Sequence, residues 1–292
     1  MRQLPRPTSK TAESDLKAGV YSYKYGGKTL GYDIKSAEVE TIIERYKAYD
    51  ASGGEPNDCY KGLDLNQALV ESVKKAFKLT LADRKLKHLR DAVMSEVHTC
   101  PICDVEPVRH LDHYLPESIY KLLAIYDRNL IPMCAACNEK KKANVTGPGG
   151  HRFIHPYFDQ LPTTPYLLAL VAIDNGGLRC SIQVNPDAEL PNALASRIHD
   201  QFEALELNKR YKREINIYVG THAFNLHGLY PNNGHDGVAQ YLSLHAKYEA
   251  ERFHANDWRA IVLQALSQDE EFCEGGFSTV FPLPEHVAPL AR

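Results

Sequence analysis

Long hydrophobic runs are missing from this sequence. The longest, Tyr166 to Ile173, is far too short to cross a bilayer, which takes about 20 apolar residues. The start, Met-Arg-Gln-Leu-Pro-Arg-Pro-Thr, has no apolar signal core, so the expected location is cytoplasmic. An excess of either charge is missing too: 34 Lys and Arg stand against 37 Asp and Glu, a formal net of −3. A protein that held a polyanion by bulk charge alone would be basic. Contact with phosphate must therefore come from local patches or through a partner. Tryptophan is nearly absent, with one residue, and no internal repeat is visible. The remaining composition, 43% apolar and 24% charged, excludes wholesale disorder and fibrous structure. The length suits one large domain or a few small modules.

Cysteine is present, and its spacing is informative. Cys100-Pro-Ile-Cys103 and Cys134-Ala-Ala-Cys137 are two Cys-x-x-Cys pairs, while Cys59, Cys180 and Cys273 stand singly. An odd count in a cytosolic chain argues against a disulfide framework and for metal binding by the pairs. Zinc takes four thiolates at tetrahedral corners, about 2.3 Å from the metal, and each Cys-x-x-Cys turn points both sulfurs one way. Cys100, Cys103, Cys134 and Cys137 are thus the predicted structural Zn2+ ligands. The alternatives are reduced buried cysteines without metal, or a redox motif, which would need one pair rather than two. Four thiolates leave no open coordination position, so this zinc is expected to hold the fold and do no chemistry. The 30 residues between the pairs leave room for a functional insert.

That insert carries His110-Leu-Asp-His-Tyr-Leu-Pro116 and Asn129-Leu-Ile-Pro-Met-Cys-Ala-Ala-Cys-Asn-Glu-Lys140. Val108–His113 and Asn129–Met133 read as strands, and Ala135–Lys142 as a helix starting inside the second pair. With its Asp-His dipeptide and its Asn-Leu-x-Pro-x-Cys-x-x-Cys-Asn-x-x-Lys string, this stretch of about 45 residues resembles the HNH endonucleases, the ββα-metal or His-Me finger family, in their four-cysteine form. His155-Pro-Tyr-Phe-Asp159 and the Arg- and Pro-containing start resemble a narrower group, the HNH proteins of Septu-type bacterial anti-phage systems, which act beside an ATPase.

The resemblance implies a chemistry at matching positions. His113 would be the general base that takes a proton from the attacking water, a task suited to imidazole. Asp112 and Asn138 would bind a catalytic Mg2+ or Mn2+ through oxygen. Asn138 stands where the commonest family pattern has His, and an amide oxygen suits these hard cations better than softer ones. Asn129 would tie the active loop together and aim His113. Lys140, Lys141 and Lys142 would either touch backbone phosphates or form a solvent-facing helix end that suits the dipole. His110 is assigned to the zinc knot or solvent, and His155 and Asp159 to packing or support of the site from behind. The implied partners are nucleic acid, with DNA favoured and RNA possible, and a larger protein such as a defence-system ATPase. A rival reading is a zinc module that binds nucleic acid or protein without catalysis.

Elsewhere, Tyr21 to Ile34 reads as a short hairpin around Gly26-Gly27 or an extended segment. Helical spacing begins at Ser36, a plausible N-cap, and recurs over Asn66–Leu79 and Asp83–Glu96. Tyr166–Ile173 and Leu178–Val184 flank Asp174-Asn-Gly-Gly177, a second hairpin signal. Helices are expected near Ala193–Glu206, Lys209–Val219, Val238–His254 and Asp257–Ser267, with a polar loop over Leu226–Gly237 and a tail from Pro282. The expected fold class is α+β: a zinc-stapled ββα finger over residues 98–160, an N-terminal arm and helical region over 1–97, and a hairpin plus C-terminal helices over 161–292.

Overall fold

The first hairpin forms because its turn is Gly26-Gly27, with φ of +55° and +75°. A two-residue type I′ turn needs positive φ at both positions. Strands β1 (Tyr23–Tyr25) and β2 (Lys28–Leu30) pair antiparallel across it. Gly31, at φ +81°, closes the hairpin where no side chain fits: a Cβ there would lie 2.1 Å from the Tyr21 carbonyl oxygen. The structure, a computed structural model, describes residues 1–8, 10–81 and 83–287. These residues mix helices with three two-stranded antiparallel sheets, an α+β arrangement. They divide into two compact units, one from Arg2 to Gln160, the other from Leu161 onward together with Met1.

In the first unit, helix α1 (Ala12–Gly19) precedes the hairpin and α2 (Ser36–Ala51) follows it. The α2 cap lies one residue earlier than expected. The Lys35 N–H donates to the Glu38 carboxylate at 2.9 Å, and Ser36 sits inside the first turn. Val39, Ile42, Tyr46 and Tyr49 form the buried stripe of α2. Helix α3 (Gln67–Ala76) starts where the Asn66 side chain accepts from the Ala68 N–H. Helix α4 (Lys87–Met94) begins later than the sequence pattern suggests. It packs through Val93 on Leu111 and Leu130, with Phe77 and Met94 around them.

Those two leucines belong to β3 (His110–His113) and β4 (Leu130–Met133), which pair antiparallel with Asp112 opposite Ile131. Helix α5 (Ala135–Lys141) follows directly. The expected N-terminal arm is laid down against this region. The Leu4 N–H donates to the Pro156 carbonyl, and the Arg2 N–H to the Pro101 carbonyl, at 2.8 and 2.9 Å. Leu4 is buried, which gives an otherwise polar arm an apolar anchor.

In the second unit, β5 (Leu167–Asp174) and β6 (Gly177–Val184) pair across Asn175-Gly176, both at positive φ. Helices α6 (Asn192–Ala204), α7 (Leu207–Gly220), α8 (Ala223–Arg252), α9 (Trp258–Leu266) and α10 (Phe277–Val280) complete it. The polar stretch Leu226–Gly237 is not a loop. It is helical as part of α8, broken at Gly234, whose φ is +57° and ψ −152°. Tertiary contacts override its Pro, Asn and Gly content: Leu226 and Val238 are buried on either side, and the Tyr230 hydroxyl donates to the Glu274 carbonyl at 2.7 Å. Residues 288–292 of the expected tail lie outside the described residues. No helix among the described residues is long and apolar enough to cross a membrane.

Candidate functional site

The four paired cysteines converge. Their sulfurs all lie within 4.8 Å of one another, and all four residues are buried. Cys103 Sγ and Cys134 Sγ are 3.8 Å apart. A disulfide would bring them to about 2.05 Å. The edge of a zinc–thiolate tetrahedron with bonds near 2.3 Å is about 3.8 Å. The backbone is shaped to suit. Cys134 caps α5, its sulfur accepting the Cys137 N–H at 3.3 Å. Asp104 takes a positive φ of +52° to turn the chain after Cys103, and its N–H returns to the Cys100 carbonyl at 2.9 Å.

Such a cluster resists full ionisation without a cation. Burial pushes the Cys100 thiol well above its ordinary range. Hydrogen bonding with the sulfurs of Cys100, Cys103 and Cys134 pushes Cys137 the same way. Cys134 alone of these three is lowered, chiefly by its hydrogen bond with Cys100. Four buried sulfurs at this separation are a donor set that a thiophilic divalent cation completes, so the cluster is suited to a structural metal such as zinc.

Beside the cluster, a cleft of about 480 Å³ is lined by His110, Asp112, His113 and Asn138, with Phe77, Arg90, Glu117 and Lys142 among its other walls. Strand β3 supplies the first three and α5 supplies Asn138. The His113 ring is buried and tilted against Phe77, with centroids 4.3 Å apart. Its Nε2 is 2.9 Å from the Ala124 carbonyl oxygen. A carbonyl only accepts, so Nε2 carries the proton, and the lone pair of the neutral ring is on Nδ1. Burial lowers the pKa of this ring, partly opposed by the Ala124 hydrogen bond. The neutral form is therefore favoured.

Asn129 does not reach the cleft. It is fully buried behind it. Its Oδ1 accepts from the Leu115 N–H at 2.8 Å, and its Nδ2 donates to the Leu115 and Leu123 carbonyls at 3.1 and 3.3 Å. Its own carbonyl accepts from the Tyr114 N–H at 2.8 Å. These bonds clamp the start and end of the connection between β3 and β4. The same connection carries Ala124, the partner of His113.

The lysines divide in direction. Lys142 lines the cleft, but the Lys141 side chain is only 4% exposed and points inward. Its ammonium donates to the His113 carbonyl at 2.6 Å and to Asp112 Oδ2 at 3.1 Å. Buried at the end of α5, it ties that helix to β3 and offsets the Asp112 charge. His110 is exposed in the cleft wall, on the same strand face as Asp112.

No protein-family model matches the chain, and no solved structure matches it. The chain is similar to protein ea31 of Escherichia phage lambda, with 35% identity over 72 residues. That segment is 24% of this chain and spans 24% of the length of that relative.

His155 lies deeper still, fully buried, with Nε2 3.0 Å from the Tyr49 hydroxyl. Asp159 Oδ2 accepts the His155 N–H at 2.6 Å, and the Arg152 guanidinium lies 3.5 Å from Asp159 Oδ1. Tyr49 was not legible as part of this region. In the sequence it is one more apolar position on the stripe of α2, and nothing local distinguishes it from core.

Proposed function

We propose that the chain is an HNH-type endonuclease, with β3, β4 and α5 forming a ββα-metal finger stapled by zinc at Cys100, Cys103, Cys134 and Cys137. The observation that carries this reading is that Asp112, His113 and Asn138 line one cleft directly beside the cysteine cluster. The reaction is hydrolysis of a nucleic-acid phosphodiester. His113 Nδ1 takes the proton of the attacking water while the Ala124 carbonyl holds the ring by Nε2. Asn129 keeps Ala124 in place by binding the Leu123 carbonyl next to it. Asp112 and Asn138 present a carboxylate and an amide oxygen, hard donors that fit Mg2+ or Mn2+. Such an ion, when bound, supplies charge neutralisation at the scissile phosphate and the leaving oxygen. Arg90 and Lys142 in the cleft wall offer positive charge to the backbone phosphates.

DNA is the favoured substrate, and RNA presents the same bond. The excess of acidic over basic side chains and the large share of chain outside the finger support docking to a larger protein partner. The resemblance of residues 155–159 and of the Arg- and Pro-containing start to Septu-type HNH proteins is what suggests a cytoplasmic effector of bacterial anti-phage defence that works with an ATPase. The Lys141–Asp112 ion pair favours the competing reading of a non-catalytic zinc module, since it already offsets the one carboxylate of the dipeptide.

The deciding experiment incubates purified, zinc-loaded protein with plasmid DNA, single-stranded DNA and tRNA, with and without added Mg2+ or Mn2+. Cutting that depends on added metal and falls by about 10²–10⁴ in His113→Ala, with zinc content and melting temperature retained, is the expected result. Cutting that persists in His113→Ala refutes the base assignment.

A further inference from the structure

All ten residues of the β1–β2 hairpin, Tyr21 to Leu30, are exposed, although Tyr21, Tyr23 and Leu30 are partly covered, at 42%, 48% and 39% exposure. A two-stranded hairpin in water is marginal by itself, and exposed aromatic residues do not stabilise it by burial. Yet it carries three tyrosines at alternate positions. The pairing puts Tyr23 opposite Leu30 and Tyr25 opposite Lys28, so both tyrosines share one face, and Tyr25 is 75% exposed. Tyr21 continues the stripe, its ring 5.7 Å from that of Tyr23.

The charge around this stripe has one sign. From Leu16 to Tyr32 there is no acidic residue; Lys24 and Lys28 lie in the hairpin, while Lys17 is paired with Glu13. Lys85 adds a third cation, its ammonium 4.7 Å from the centre of the Tyr21 ring. In a chain of net charge −3 this is a local basic and aromatic surface. It is also joined to the cleft through one segment: Leu81 and Arg90 line the cleft, and Lys85 between them in sequence touches the hairpin.

We propose that this hairpin binds a single-stranded stretch of nucleic acid, with Tyr21, Tyr23 and Tyr25 stacking on bases and Lys28 and Lys85 pairing with phosphates. Rows of exposed aromatics amid lysines suit this ligand because every unpaired base offers a face to stack on and every linkage carries a negative charge. A duplex hides its base faces, and an apolar protein groove would want aliphatic residues rather than Tyr, Lys, Ser and Thr. The inference rests on the nuclease reading in naming the cleft as the strand's destination, but the binding itself is separable from cleavage.

The test is fluorescence anisotropy on the full chain, without added Mg2+ or Mn2+, using labelled oligo-dT, oligo-U and a mixed-sequence DNA duplex, each checked intact by gel. Single strands are expected to bind more tightly than duplex. The double variant Y23A/Y25A should weaken single-strand binding by at least about tenfold, and Y23F/Y25F should restore it, because stacking needs the ring and not the hydroxyl. The double variant K28A/K85A should flatten the log–log salt dependence by about 1.4, which is two contacts at about 0.7 each. Melting temperature and zinc content confirm that each variant is folded. If Y23A/Y25A binds within about threefold of the wild type, or the wild type prefers duplex or binds none of the probes, the proposal is overturned. If binding behaves as expected while the wild type cuts nothing, the hairpin assignment stands and the failure belongs to the nuclease reading or to its missing partner.

Discussion

The Tyr49 hydroxyl donates a hydrogen bond to Asn129 Oδ1 at 3.1 Å, joining helix α2 to a residue 80 positions later. The direction follows from the next link. His155 Nδ1 accepts the Tyr157 N–H at 3.2 Å, so Nε2 carries the proton and donates to the Tyr49 oxygen at 3.0 Å. The hydroxyl hydrogen is then given to Asn129. One buried chain of hydrogen bonds therefore runs from His155 through Tyr49 to the amide that clamps the connection between β3 and β4.

Tyr49→Phe keeps the ring packing against Tyr60, Tyr126 and Phe158 and removes the relay atom. Asn129 Oδ1 retains the Leu115 N–H, but the buried His155 Nε2–H loses the Tyr49 oxygen. The expected cost is about 1–3 kcal/mol, read as a lower urea midpoint at unchanged slope. An unchanged midpoint would remove the relay from the stability of this unit.

Gly54→Ala tests the same region by sterics. Gly54 adopts φ +81°, and a Cβ there would lie 2.6 Å from His155 Cδ2. Backbone strain and the displaced imidazole act together, so a loss of at least about 1 kcal/mol is expected. Thermal melting of Gly54→Ala beside Gly53→Ala separates the two terms. Gly53 is also at positive φ, but its Cβ would meet nothing nearer than 3.9 Å.

Cys134→Ser should lose the bound metal and destabilise the first unit, because metal binding at such a site contributes folding energy. Atomic emission on the purified wild type is expected to give one zinc per chain, and the variant close to none. Full zinc occupancy in Cys134→Ser would show that this sulfur is not a ligand.

His222, in the second unit, gives a pH prediction. Burial, with a smaller contribution from His245, pushes its pKa down to about 4 from an ordinary value near 6.5. The groups facing it are the Tyr241 hydroxyl, 2.9 Å from Nδ1, and the rings of His245 and Tyr218. The folded state thus binds this proton less readily than the unfolded chain. Stability is full above about pH 6.5 and declines as pH falls through about 4. Melting temperatures measured across that window should fall less steeply for His222→Gln than for the wild type. Parallel curves would show that His222 does not contribute.

What was legible in the sequence follows from short-range rules. The Cys-x-x-Cys pairs announce a metal knot because two turns of fixed geometry must each aim two sulfurs at one point, and the four sulfurs do converge. Gly26-Gly27 and Asn175-Gly176 announce hairpins because few other residues accept the required φ. The amphipathic stripe of α2 is plain from its 3.6-residue period. Spacing alone says little about the region behind the cleft. Tyr49 looks like any core aromatic until α2 is placed against residues 120–129, and its hydroxyl then becomes the link between Asn129 and His155. Lys141 reads as one of three solvent-facing cations until α5 docks on β3 and turns it toward the Asp112 carboxylate. The stretch Leu226–Gly237 reads as a loop because Pro, Asn and Gly are weak helix formers. Burial of Leu226 and Val238 outweighs that local preference and leaves a single break at Gly234. Local conformation and ligand type are written in neighbouring residues. Which side chains share a buried hydrogen bond is decided only when elements far apart in the chain pack together, since that packing selects their partners.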